Sequence, residues 1–167
     1  MAAVSALSFL LASAQDPVLS EQKVQQIRGN CLTTKNTLTQ LHASDALLRV
    51  NRGQLYESIY TKLMDRFNIR VASNKLNNDD LKKTADDYRN TLDIFRSDYK
   101  SYEEQLAKTL DIDCTAQPTQ FYDAIVLARS MREVVHGDVV KLNQYVDQYQ
   151  TDVDKFSSSY QQESGNE

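Results

Sequence analysis

Between Asp79 and Leu110 an apolar residue recurs at Leu81, Ala85, Tyr88, Leu92, Phe95, Tyr99, Tyr102 and Leu106. The steps between them alternate four and three without a miss. Side chains spaced this way form one stripe on an α-helix, and so regular a stripe is a seam packed lengthwise against other helices. The rest of the chain must supply the partners. Only 4 Gly and 2 Pro interrupt 167 residues, which leaves few turns for a sheet. That length suits one domain.

The flanking segments read as such partners. Asp16-Pro17-Val18-Leu19 is a short extended lead. Ser20 is a good N-cap, with Glu21 at the positive helix end. Val24, Ile27, Cys31, Leu38, Leu41, Leu48, Leu55, Ile59, Leu63 and Phe67 then keep helical spacing. They predict one long helix over about 21–73. Gly53 is its weak point, because glycine costs about 1 kcal/mol against alanine in a helix interior. A kink or break there is the main alternative.

Asn74 to Asn78 is a turn cluster, and Asn78 is placed to cap the central helix ahead of Asp79 and Asp80. After a connection over 111–117, Pro118 suits a first helical position. Ile125, Ala128, Val135, Val139, Leu142, Val146, Tyr149, Val153, Phe156 and Tyr160 form a third seam, interrupted by Arg132. Long helices joined by short turns run antiparallel. The expected fold is all-α: an elongated up-down-up bundle of three helices over 15–160, with a disordered polar tail at 161–167.

Charge agrees with helix pairing and excludes one class of function. The formal net charge is −4, against the concentrated basic surface that nucleic-acid binding requires. Residues 20–74 carry eight Lys/Arg against four Asp/Glu, whereas 75–117 carry seven against ten and 118–167 four against eight. One basic helix beside two acidic ones is favourable, though exposed pairs contribute only tenths of a kcal/mol each. Aromatic content is mostly Tyr, 9 against 5 Phe with no Trp. Tyrosine suits thin bundles whose core lies close to water.

The N-terminus reads as a signal peptide over 1–14. Ala2 to Leu11 is apolar and small, and Ala12-Ser13-Ala14 meets the small-x-small cleavage rule. The run is shorter than the roughly 20 residues a bilayer span needs. No Lys or Arg precedes it, so either the α-amino group is the only positive charge there or the start has been clipped. The competing reading is an ordinary apolar helix start. Cleavage would leave Gln15 first. Export makes a disulfide between Cys31 and Cys114 a better reading than two core thiols. The register allows it. A descending second helix of about 33 residues, roughly 50 Å, ends near residue 42, and the connection drops further towards Cys31.

Ile27-Arg28-Gly29-Asn30-Cys31 and Leu41-His42-Ala43-Ser44-Asp45-Ala46-Leu47-Leu48-Arg49-Val50-Asn51 resemble stretches in uncharacterised exported helical proteins of ultrasmall candidate-phylum bacteria, the Saccharibacteria-type lineages. The resemblance covers the first half of helix one. It implies export and helicity and adds nothing about mechanism.

Catalytic constellations are incomplete. Glu133-Val134-Val135-His136 has the Glu-x-x-His spacing of a metal-binding helical face, but a di-iron bundle needs two such motifs and two more inward Glu. The other histidine, His42, has Thr39 three residues earlier. The two cysteines are read as paired, which leaves no Cys–His couple. Asp79-Asp80 and Asp86-Asp87 diverge by about 100° on a helix exterior and read as solvated charge. Gly is too scarce for a phosphate loop. No cofactor or metal is expected, and the chain reads as no enzyme.

Two further groups stand out. Tyr56, Tyr60 and Tyr145 flank the seams. They read either as an exposed aromatic patch for an interaction or as tyrosines snorkelling at a bundle edge. Asp45 continues the Cys31–Leu38 line, and Arg132 lies about level with residues 45–49. The expectation is a core ion pair between them that sets register. Arg49 offers Asp45 a local alternative four residues on.

The leading functional expectation is an exported, non-enzymatic scaffold or protein-interaction module at the cell envelope, binding an unidentified protein partner with no nucleic acid and no transmembrane span. The alternative is an extracytoplasmic chaperone or carrier holding a client in a helical groove. The first requires closed seams. The second requires an open cleft with apolar walls, and a trimer or larger assembly would accompany it.

Overall fold

A computed structural model describes residues 19–164. The signal-peptide reading over 1–14, the lead over 16–18 and the last three tail residues lie outside the described ones. Among the described residues every regular element is helical: α1 (Glu21–Gly29), α2 (Cys31–Ser58), a π-helical turn (Ile59–Met64), α3 (Asp65–Ser73), α4 (Asp79–Asp111) and α5 (Pro118–Ser164). Helix therefore continues into the stretch expected to be a disordered tail.

α4 is the axis. All eight residues of its seam are buried, because α5 covers one flank and α2, the π turn and α3 cover the other. Phe121, Ala128, Val135, Leu142 and Tyr149 of α5 are buried with them. Short sequence signals set the ends. The Ser20 hydroxyl accepts from the Lys23 amide at 3.4 Å. α3 closes with Lys75 at φ 58°, its amide on Ala72 O at 2.9 Å, while Leu76 N–H reaches Val71 O at 3.2 Å. This is a Schellman closure in which lysine occupies the left-handed position usually given to glycine.

Asn78 does not cap α4 with its side chain, contrary to the expectation. Asn77 Oδ1 accepts from the Asp79 amide at 3.0 Å, and Asn78 Nδ2 donates to Asn68 O at 3.2 Å, tying the turn to α3. In the α4–α5 connection, the Asp113 carboxylate accepts from the amides of Thr115 and Ala116 at 2.9 and 3.0 Å. Those amides hold its pKa below the usual carboxylate range. Cys31 and Cys114 meet here at disulfide distance, with Cα atoms 5.5 Å apart.

The first arm departs from the expectation in two ways. The helix passes through Gly53 unbroken. It is interrupted at Asn30 and at the π turn instead. A Cβ at Gly53 would meet nothing within 4 Å, so the glycine costs only its backbone entropy. The predicted seam is also misphased in part: Leu38, Ile59 and Phe67 pack against the core, whereas Leu48, Leu55 and Leu63 are between 45 and 62% exposed. The buried line is Asp45, Tyr56, Met64, Asn68 and Val71. Tyr56 to Met64 is eight residues, too many for two α-turns. The π turn absorbs the surplus residue and brings both onto one face. Tyrosine hydroxyls bracket it: Tyr88 donates to Tyr56 O at 3.0 Å, and Tyr149 donates to Met64 O at 3.1 Å and Asn68 Oδ1 at 2.8 Å. Burial raises the pKa of both hydroxyls, so they stay protonated donors.

Two more carboxyl groups are buried wholly or in part. Asp152 is buried and accepts from Thr84 Oγ1 at 2.7 Å and Gln148 Nε2 at 2.8 Å. Asp138 is less well provided. Its Oδ2 is buried without a hydrogen-bond partner among the described residues. Burial first, and then Asp98, raises its pKa.

Candidate functional site

Midway along the molecule α2 rests on α4 but makes no comparable contact with α5. A cleft of about 470 Å³ opens between them. α2 contributes Asp45, Leu48, Arg49 and Arg52, spaced i, i+3, i+4 and i+7 on one helical face. α5 contributes Arg132, Glu133, Val135, His136 and Val139, and Phe95, Tyr99 and Tyr102 of α4 form the floor. The volume falls within the range of small-molecule sites, about 300–1,000 Å³, and the mix of apolar wall and a few polar groups is typical of them.

The floor is an aromatic ladder. Tyr56 meets Phe95 edge-on with centroids 5.6 Å apart, Phe95 lies 6.1 Å from Tyr99, and Tyr99 lies 6.0 Å from Tyr102. Each spacing falls in the favourable range for ring pairs. Burial, followed by the Asp45 charge, pushes the Tyr99 hydroxyl up to about 12. Burial and the hydrogen bond to Asp45 push Tyr102 up as well. Both present neutral hydroxyls at physiological pH.

Asp45 joins all three helices. Its Oδ2 accepts from the Tyr102 hydroxyl at 2.7 Å and from Arg132 Nε at 3.3 Å. The hydrogen bond to Asp45 raises the Arg132 pKa. The Arg132 side chain is 54% exposed while that of Asp45 is 11% exposed. The pair therefore spans the core edge and is not enclosed in the core. The Asp45 side chain is buried with both Tyr102 and Arg132 as donors, as a buried polar group requires. Tyr102 thus fills its seam position and supplies a buried donor as well.

Arg49 does not turn to Asp45. It pairs with Glu103 at 3.1 Å and lies over the Tyr99 ring, 5.4 Å from its centroid. Arg52, Glu133 and His136 make no side-chain hydrogen bond or ion pair with the described residues. Glu133 and His136 thus share the cleft wall, but among the described residues no group of three His, Cys, Asp or Glu is arranged to hold a metal ion. Three guanidinium groups line the cleft against two carboxylates, in a chain whose net charge is −4.

The exposed aromatic patch is corrected. Tyr56 is 5% exposed and belongs to the core. Tyr60 and Tyr145 are half-buried and pack against that core, with the Arg89 guanidinium 5.5 Å from the Tyr60 ring centroid. The three do not form a surface patch, because Tyr56 packs edge-on against Phe95 of α4 while its carbonyl accepts from Tyr88. The cleft left a faint trace in the sequence: the i, i+3, i+4, i+7 repeat of Asp45, Leu48, Arg49 and Arg52 mixes charge into an apolar stripe. No helix among the described residues is long and apolar enough to cross a membrane. The chain matches no family model, no curated protein and no solved structure.

Proposed function

We propose that the chain is an exported, non-enzymatic carrier that holds a client in the cleft between α2 and α5. Its body is an elongated up-down-up bundle of three arms: α1 to α3, then α4, then α5. The observation that carries this reading is the open middle of the first seam. Leu48 and Val139 face a cleft floored by Phe95 and Tyr99 where a closed scaffold would have joined α2 to α5. The cysteine pair at disulfide distance supports an oxidising compartment.

The interaction-module reading keeps one observation in its favour. Leu32, Leu47, Val50 and Leu55 of α2 are 48 to 73% exposed, more apolar surface than a lone helix face needs. A neutral apolar fluorophore separates the two. N-phenylnaphthylamine should brighten on mixing with the protein. Val139→Trp, which fills the cleft, should abolish the signal, and Leu47→Gln should leave it intact. The reverse pattern would favour the α2 face and remove the carrier reading.

A further inference from the structure

We propose that the cleft takes a single organic monoanion: a carboxylate carried on an apolar body. This rests on the carrier reading and names the chemistry of its client. Arg52 has a charged guanidinium on the cleft wall and no ion pair among the described residues. Arg132 approaches Asp45 through Nε, and a guanidinium has five N–H donors in a planar fork that matches a carboxylate. These two arginines stand on opposite walls, α2 and α5, with the apolar floor between them. Arg49 points its terminal NH1 at Glu103 and is held over Tyr99, so it serves as a wall, whereas the Asp45 contact engages only Nε of Arg132 and leaves its terminal nitrogens for a ligand. The apolar body lies against Phe95, Tyr99, Leu48 and Val139.

Glu133 decides the charge that is accepted. Its carboxylate lines the same cleft without a cation partner among the described residues. One anionic head placed at Arg52, with Arg132 facing it across the cleft, is favourable. A second negative charge on the client would face Glu133 and Asp45, and like charges repel. The site therefore favours a monoanion over a dianion and rejects an amine at Arg52.

Calorimetric titration of the full oxidised chain tests this, using naphthoate and decanoate as probes, with naphthamide, naphthylmethylamine and naphthalene dicarboxylate as controls. Naphthoate or decanoate should bind about tenfold or more tightly than the neutral amide, the size of one charge-assisted contact. Whichever of the two binds better tells an aromatic from an aliphatic client. Arg52→Gln should remove most of that preference, and Glu133→Gln should strengthen carboxylate binding and admit the dicarboxylate. Both changes are on exposed side chains, and circular dichroism checks that the fold persists. Equal affinity for naphthoate and naphthamide, or no effect of Arg52→Gln, overturns the proposal. If N-phenylnaphthylamine enters the cleft while carboxylates show no preference, the anion inference fails alone and the carrier reading stands. No carboxylate binding at millimolar concentration overturns the inference as well.

Discussion

The hydroxyl of Tyr102 donates to Asp45 Oδ2 at 2.7 Å, joining α4 to α2 across 57 residues of sequence. Arg132 adds a longer contact to the same oxygen from α5. The difference in exposure decides which partner matters more for stability. Tyr102 is buried, whereas Arg132 is half in solvent. Tyr102→Phe should cost about 1–3 kcal/mol by leaving a buried carboxylate short of a donor. Arg132→Ala should cost under about 1 kcal/mol, as exposed pairs do. Urea unfolding of the single and double variants, with Asp45→Ala as the third corner, measures both couplings. A larger Asp45–Arg132 coupling than Asp45–Tyr102 coupling would contradict this ranking.

Cys31 and Cys114 are 83 residues apart in sequence and meet beside Thr115. Closing so long a loop should stabilise the chain by about 3–4 kcal/mol, mostly by restricting the unfolded state. Intact mass with and without reductant should differ by two protons, and Cys31→Ser should lower the urea midpoint by the corresponding amount. Two freely alkylated thiols in the unreduced native protein would refute the bridge.

Export makes a separate prediction. Cleavage after Ala14 leaves Gln15 as the first residue, which N-terminal sequencing of the native protein detects. An intact Met1 in the cytosolic fraction would remove the export argument and leave the cleft chemistry untouched.

Asp138 should give the fold an unusual pH response. Its folded pKa is raised, first by burial and then by Asp98, with Lys141 opposing. A raised folded pKa contributes stability below the unfolded value and loses it as pH rises through the folded one. The ionised carboxylate thus burdens the fold at neutral pH. Asp138→Asn should raise the melting temperature at pH 7, and its advantage should shrink as pH falls towards 4. Asp113 acts in the opposite sense, its pKa being lowered by the Thr115 and Ala116 amides. The comparison is therefore between variant and parent at each pH. A stabilisation that is the same at every pH would show that ionisation of Asp138 is not the cause.

Gly53 offers a test of the first arm. The helix runs through it and an added Cβ would touch nothing within 4 Å. Gly53→Ala should stabilise by about 0.5–1 kcal/mol through the unfolded chain and helix propensity. If the glycine were a required hinge, thermal melts would show a loss instead.

The α4 seam could be read residue by residue because α4 is covered on both flanks. When neighbours press from two sides, every position of a four-three repeat has a partner, and the repeat and the core coincide. In α2 the same logic held only in part, since Leu38 packs against the core while Leu48 and Leu55 do not. α2 has one covered flank, so only one of its two apolar stripes is buried. Leu48 and Leu55 lie on the other. Propensity and pattern cannot tell which stripe a neighbour will cover.

Local chemistry by itself determined the helical class, the turn over 74–78, the proline start of α5 and the central seam, since each depends on residues a few positions apart. Tertiary structure decided what depends on distant ones. The π turn lets Tyr56 and Met64 both face α4 and α5, where the Tyr88 and Tyr149 hydroxyls donate to their carbonyls. The cleft exists because α2 and α5 approach α4 without closing on each other. Neither relation has a short-range signature, as a one-residue change of helical phase costs little locally and is selected only by what it brings into contact.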